Sequence, residues 1–348
     1  MIASALLPPF GGGVTRVAWE TAKHLANDYE VHFLAFGTGE TSTREGVTIH
    51  SVRFKHPATL WYSTLLRPRI IRLMREISPH IVHSHVLHWA YVFAGAKSRK
   101  VVTCHGLDWL GLDLRAGLNY PRPLTLRRLF LKEAISNADL VCAPSKWMAD
   151  LVQESYGVNC KTLPNGVDTN TFAQIEVAKR PCNIVLYVGR LELSKGLMDL
   201  FETAKALPQY EFWLIGDSGG TLRNLSLPNV KLLGRVNNQK LLAVYYNLAT
   251  VCIFPSHWEI FSLVGLEAMA CGKAIIATKL GFTEYVENGH DGLIIEAKQP
   301  QELVRSIKYI MDNKEARTRI EGNAREKALK FDWDKVMKFY KAVYESLS

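Results

Sequence analysis

The amino-acid sequence predicts an α/β protein of two doubly wound domains, and three observations carry that expectation. The chain has 348 residues, 48% of them hydrophobic, more than one core usually organises. Short β-rich runs alternate with helical patterns, the rhythm of a parallel sheet wound by crossover helices. That rhythm loosens over Gln174 to Pro181 and begins afresh at NIVLYVGR, Asn183 to Arg190. The expected units are residues 1–174 and 175–330, with 331–348 a terminal helix that packs back toward the first.

Composition narrows the class. The 42 Lys+Arg against 33 Asp+Glu leave a formal charge of +9, which favours anionic partners such as nucleic acid, phosphorylated substrates or an acidic membrane face. No zinc-finger spacing, RNP-like string or single basic aromatic stripe occurs, so nucleic acid is not expected. No apolar run approaches the roughly 20 residues that span a bilayer. The opening MIASALLPPFGGG lacks the charged start of a secretory signal, and a cytoplasmic protein is expected. The cysteines Cys104, Cys142, Cys160, Cys182, Cys252 and Cys271 form no C-x-x-C pair, and several sit in apolar runs, the pattern of reduced packing thiols.

The chain opens with an apolar segment, Ile2 to Leu7, then Pro8, Pro9 and the glycines Gly11, Gly12 and Gly13, then a helical pattern from Val14 to Ala26. Consecutive glycines let backbone pass close to a ligand and leave amide donors free at a helix start; a plain tight turn reads equally well. Val31 to Phe36 and Val47 to Phe54 follow as strands. Leu60 to Pro79 interleaves aromatic and aliphatic residues with Arg67, Arg69, Arg72 and Arg75, and Tyr120 to Ala134 repeats the theme. Both segments, 60–79 and 120–134, suit either a peripheral helix on an anionic membrane or an ordinary amphipathic helix with a solvated basic face. His83 and His85 fall on one side of a strand, Ile81 to His88, with no acid or cysteine nearby to complete a metal site, so satisfied or cleft-lining histidines are expected. VVTCHG ends a further strand on His105 and Gly106, where a parallel sheet delivers side chains to a cleft. Ser145 is placed as the N-cap of the helix after Ala138 to Pro144.

In the second half, the strand of NIVLYVGR ends in Gly189 and Arg190, with Lys195 and Gly196 just ahead of a helix from Leu197 to Ala206. Arginine can clamp two phosphate oxygens and lysine adds a point charge, so this loop is a candidate diphosphate site; a solvated loop is the bland alternative. Glu211 to Gly220, Val230 to Val236, Gln239 to Asn247 and Thr250 to Phe254 supply strand, strand, helix and strand. Then comes FPSHWEIFSLVGLEAMACGKAIIA, where Glu259 and Glu267 bracket seven mostly apolar residues. Carboxylates in such surroundings are costly unless paired or liganded, and sugar hydroxyls are donors that would serve. Helical composition over Ser262 to Ala270 puts them at a strand-to-helix corner, with a helix N-terminus turned toward any phosphate.

Taken in order, PPFGGGVTRVAWETAKHLA, TCHG, PNGVD, VGRLELSKG, LIGDSGG, the Glu-seven-Glu corner with EAMACGK, and FTEYVENGHDGLI span nearly the whole chain. This set resembles the retaining glycosyltransferases of family 4, whose two Rossmann-like domains face each other across a cleft in the GT-B arrangement. The resemblance implies that Arg190 and Lys195 hold a donor diphosphate, Glu267 the ribose hydroxyls and Glu259 the transferred sugar. It places Arg235 and Val236 at the base, Ser262, Leu263 and Val264 along the phosphate and sugar, His105 on the sugar, and Gly12 and Gly13 on the phosphate and acceptor side. It implies transfer of a sugar from a nucleotide sugar to an acceptor glycan or lipid-linked sugar with retention, no cofactor and no metal. The sequence departs from the family pattern at Ile260, Ser262, Ala274 and Leu280, positions beside the sugar that bear on which sugar is taken. An epimerase or phosphorylase of the same fold, or a non-catalytic nucleotide-sugar-binding subunit, are the alternatives.

Overall fold

A computed structural model describes residues 1–4, 12–53, 60–93, 95–106, 132–176, 183–217 and 226–347; for 60–66, 87, 88 and 91 the backbone alone is described. The chain divides into residues 1–165 with 333–348, and residues 166–332.

In the first unit Ile2–Ala3 (β1), Val31–Gly37 (β2), Thr41–Arg44 (β3), Val47–Arg53 (β4), Ile81–Ser84 (β5), Arg99–Thr103 (β6), Leu140–Ala143 (β7) and Cys160–Thr162 (β8) form one sheet. Its order is β3-β4-β2-β1-β5-β6-β7-β8, and all pairs are parallel except β3 with β4. Its helices include Gly13–Leu25 (α1), Leu60–Ile77 (α2), Leu87–Phe93 (α3) and Lys146–Tyr156 (α4). Strand β3, TSTR, is polar and exposed throughout, so no apolar alternation announces it in the sequence. It exists because Glu45 and Gly46, at φ 51° and 77°, make a tight turn back onto β4. Ser145 is the N-cap residue of α4, but its side chain caps nothing; its buried Oγ has no partner among the described residues.

The second unit carries Ile184–Val188 (β9), Glu211–Ile215 (β10), Val230–Gly234 (β11), Val251–Phe254 (β12), Ile275–Thr278 (β13) and Leu293–Ile295 (β14). These are parallel and ordered β11-β10-β9-β12-β13-β14. Every residue of β9 is buried, as expected of a strand covered on both faces. Ile184, Leu186 and Val188 join one core with Tyr246, Leu266 and Ala324, from Gln239–Leu248 (α6), Leu263–Ala270 (α7) and Lys314–Leu329 (α9). Val185 and Tyr187 point the other way, to Leu200 of Leu197–Ala206 (α5) and Ile307 of Pro300–Asp312 (α8).

The division falls nine residues before the boundary the sequence suggests near 175, and contacts explain why. Val167 and Phe172 belong to the second unit's core, and Val167 pairs with Asp332. Arg325 ties this stretch down, donating to the carbonyls of Thr169 at 3.2 Å, Phe172 at 2.9 Å and Ala270 at 2.5 Å. The terminal helix Trp333–Glu345 (α10) belongs to the first unit, where Tyr344 meets His83 and Trp333 lies 5.9 Å from His24 between ring centroids.

Candidate active site

Each sheet reverses its winding at one point, between β9 and β12 in the second unit and between β1 and β5 in the first. Loops leaving the carboxyl ends of those strands diverge and open a crevice, the usual ligand position in doubly wound sheets.

In the second unit the loop after β9 carries Arg190 and Lys195, and the loop after β12 carries Glu259 and the start of α7. The two loops are drawn together by a glycine. Gly196 has φ 73°, and a Cβ there would stand 1.9 Å from the Pro255 carbonyl oxygen, so only glycine permits this approach. Across it the amides of His257 and Trp258 donate to the Ser194 carbonyl, and the His257 ring meets Asp199 at 2.9 Å. Lys195 then reaches the second loop: its Nζ donates to Glu259 Oε2 at 3.0 Å and to the Trp258 carbonyl at 3.1 Å. Gly281, at φ 75°, packs so closely behind Glu259 that a Cβ would sit 2.9 Å from its Cγ.

The two acids of the corner have different surroundings. Glu259 is half-buried, and its second oxygen accepts from the Ile260 amide at 3.1 Å. Glu267 is fully buried on α7 and accepts from the Tyr246 hydroxyl at 3.0 Å. Ser262 caps α7, accepting from the Gly265 amide at 3.4 Å, so its side chain serves the helix; Leu263 and Val264 are partly exposed, Val264 packing against the core. Arg235 is exposed and Val236 partly buried, beyond the end of β11.

Neither expected phosphate cation stands alone. Arg190 donates to Glu192 at 2.6 Å, an exposed pair that holds weakly and exchanges readily, and Lys195 is paired with Glu259. A diphosphate arriving here must compete for both. Sequence reading did not foresee the Pro255 and Trp258 carbonyls, Asp199 or Tyr246; backbone carbonyls leave no residue-type signal, and the others act through contacts distant in sequence.

In the first unit Gly12 is the N-cap of α1 and Gly13 its first residue, both exposed. A Cβ at Gly12 would meet nothing within 4 Å, so the close approach expected of this glycine is not required by the described residues. His105 lies past the end of β6, partly exposed, with Nε2 2.8 Å from Nδ1 of the buried His85. His83 and His85 share a side of the strand as the period requires, with ring centroids 4.1 Å apart. Both nitrogens of His83 are satisfied, by the Tyr344 hydroxyl at 2.5 Å and Thr103 Oγ1 at 2.7 Å. Burial holds His83 and His105 down to about 3, with His105 and the N-terminal ammonium adding to the effect on His83, and His85 is lowered by burial and then by His83 and His105, so all three are neutral imidazoles.

No group of three or more His, Cys, Asp or Glu side chains suited to a metal occurs among the described residues. One D-x-D string does exist, Asp332-Trp333-Asp334, which the sequence reading passed over. There Asp332 accepts from the Thr169 amide and hydroxyl, and Trp333 is buried. Cys104, Cys142, Cys160, Cys252 and Cys271 are buried. Of the basic segments, 60–77 is helical with Arg69, Arg72 and Arg75 exposed, while 120–131 lies outside the described residues. No helix among the described residues is long and apolar enough to cross a membrane.

Comparison with known proteins agrees with this geometry. Residues 168–327 match the family of glycosyl transferases group 1, and residues 11–171 match Glycosyltransferase Family 4. An uncharacterized glycosyltransferase of Methanocaldococcus jannaschii is 28% identical over 100% of this chain and 99% of its own. Among solved structures, sucrose-phosphate synthase from Thermosynechococcus elongatus is similar with a TM-score of 0.87 and 20% identity, covering 99% of this chain and 98% of that one. Anabaena HepE in complex with UDP-glucose has a TM-score of 0.78 and 20% identity, covering 99% of both chains. The two family matches adjoin and together cover nearly the whole chain, each falling on one unit with its crevice, and the protein belongs to the family 4, group 1 glycosyltransferases of GT-B fold.

Proposed function

We propose that this glycosyltransferase moves a sugar from a nucleoside-diphosphate sugar to a hydroxyl acceptor, with retention of anomeric configuration and without a metal ion. The observation that carries the reading is the corner at the β9/β12 reversal, where Lys195, Glu259 and the start of α7 converge. Arg190, Lys195 and the first amides of α7 can stabilise the charge that grows on a leaving diphosphate, and preorganised charge of this kind is often the largest catalytic contribution. Displaced by the diphosphate, Lys195 releases Glu259 to accept from sugar hydroxyls. Glu267 is assigned to the ribose and Arg235 and Val236 to the base. Gly12 and Gly13 are assigned to the acceptor side, and His105 to the transferred sugar. Same-face attack needs no strong protein nucleophile, because the leaving phosphate oxygen can take the acceptor proton. The similarity to HepE, solved with UDP-glucose, supports a uridine nucleotide.

A thermal-shift screen over nucleotide sugars tests this. A true donor raises the melting temperature in proportion to the logarithm of its concentration over its dissociation constant, and slow hydrolysis without acceptor separates an enzyme from a mere binder. No shift with any nucleotide sugar would overturn the reading. The exposed arginines of α2 further suit an acceptor held at an anionic membrane surface, a glycan precursor or lipid-linked sugar. Failure to sediment with anionic liposomes at low salt removes that part.

A further inference from the structure

We infer that His85 is a positioning residue that sets which nitrogen of His105 carries the proton, presenting His105 to its ligand as an Nδ1–H donor. The inference rests on the assignment of His105 proposed above. His85 is only 1% exposed and follows β5, where its amide donates to the Ala3 carbonyl at 3.0 Å and fixes its backbone. Its ring lies between two others, His83 at 4.1 Å and His105 at 5.1 Å between centroids, the latter nearly parallel at 16°.

The hydrogen-bond inventory then restricts the protons. The 2.8 Å contact between His85 Nδ1 and His105 Nε2 needs one proton between two neutral rings. Were that proton on His105, His85 would carry its own on Nε2. That atom is buried with no partner among the described residues, and His83 cannot serve it because both His83 nitrogens are engaged. A buried N–H without an acceptor is the costlier orphan, whereas a bare ring nitrogen is tolerated more readily. His85 therefore keeps its proton on Nδ1 and donates it to His105 Nε2. His105 is left with its proton on Nδ1, able to donate to an oxygen and unable to accept at Nε2. The outer ring's chemistry is thus decided by the ring behind it, much as a carboxylate orients a catalytic histidine.

Long-range 1H–15N correlation spectra of the full-length protein labelled with 15N-histidine test the assignment, with His105 identified by its loss in His105→Gln. The expected spectrum shows His105 protonated at Nδ1 in the wild type and at Nε2 in His85→Leu. In parallel, His85→Leu is expected to lower kcat about tenfold or more, with the donor KM changed less than about threefold. His85→Asn, whose amide can stand where Nδ1 stood, recovers most of the loss, a rescue that a purely structural role would not give. Wild-type His105 protonated at Nε2 overturns the inference, as does a His85→Leu protein with unchanged spectrum and kcat. If His85→Leu fails to fold, the wild-type and His85→Asn spectra decide alone. Full turnover by His105→Gln would sink the assignment of His105 to the sugar, while the spectrum would still report on the pairing.

Discussion

The two units share a winding but not a chemistry. In both, the sheet runs outward from a central reversal, and the loops at that reversal carry the polar residues that packing does not explain. Around β9 and β12 these residues are charged: Arg190 with Glu192, Lys195 with Glu259, and Asp199 beside His257. Around β1, β5 and β6 they are three imidazoles that burial keeps neutral. The topology fixes where a ligand can sit, and the residues at the strand ends decide what it meets. A charged corner suits a diphosphate, and a neutral row suits uncharged hydroxyls. The charged corner also depends on close backbone approach, at Gly196 against Pro255 and Gly281 against Glu259, whereas a Cβ at Gly12 in the first unit would meet none of the described residues within 4 Å.

The largest effect expected from breaking this contrast is at Glu259. Glu259→Ala removes the carboxylate proposed for the sugar and should lower kcat by about 10²–10³, roughly 3–4 kcal/mol of transition-state stabilisation, with a smaller change in donor KM. Steady-state kinetics check this, and an unchanged kcat would remove Glu259 from the chemistry. Next is Gly196→Ala, which forces a side chain into a left-handed conformation and against the Pro255 carbonyl, at a cost of at least ~2 kcal/mol. Calorimetric unfolding should show the loss, and donor-induced stabilisation should vanish with it. The same change at Gly12 should cost much less.

A third expectation concerns pH and belongs to the neutral row. His83 and His105 titrate near 6.5 when unfolded but are held down to about 3 when folded. The unfolded chain therefore binds more protons between those values, so the stability from neutrality is complete above about pH 6.5 and is lost as pH falls toward 3. Each such histidine contributes about 1.4 kcal/mol per pH unit in that window. Melting temperatures measured from pH 7.5 to 5 should fall, less steeply in His85→Asn by about one proton.

Much of this was legible in the sequence because it depends on period and order. The fully apolar run of β9, the helix Leu197–Ala206 and the Glu-seven-Glu corner are local patterns, and each sits where those patterns put it. The resemblance of the ordered motifs to family 4 glycosyltransferases supplied the family, and the family matches agree. What escaped depends on contacts across the fold. Strand β3 has no apolar face and exists through its turn; Val167 and Phe172 look like loop but fill the second core. The carboxylate partners of Arg190 and Lys195, Glu192 and Glu259, are settled only by geometry and so gave no signal in the loop's sequence. Ser145 has the residue type of a cap without making the bond.

In the proposed reading the charged corner of the second unit holds the donor's diphosphate. Titration calorimetry of a nucleoside diphosphate into the wild type, Lys195→Ala and His105→Ala tests it most directly. The dissociation constant is expected to be at least about tenfold weaker for Lys195→Ala, through loss of a partly buried charged contact, and within about twofold of wild type for His105→Ala. Equal binding by wild type and Lys195→Ala, with weakening in His105→Ala instead, would contradict it.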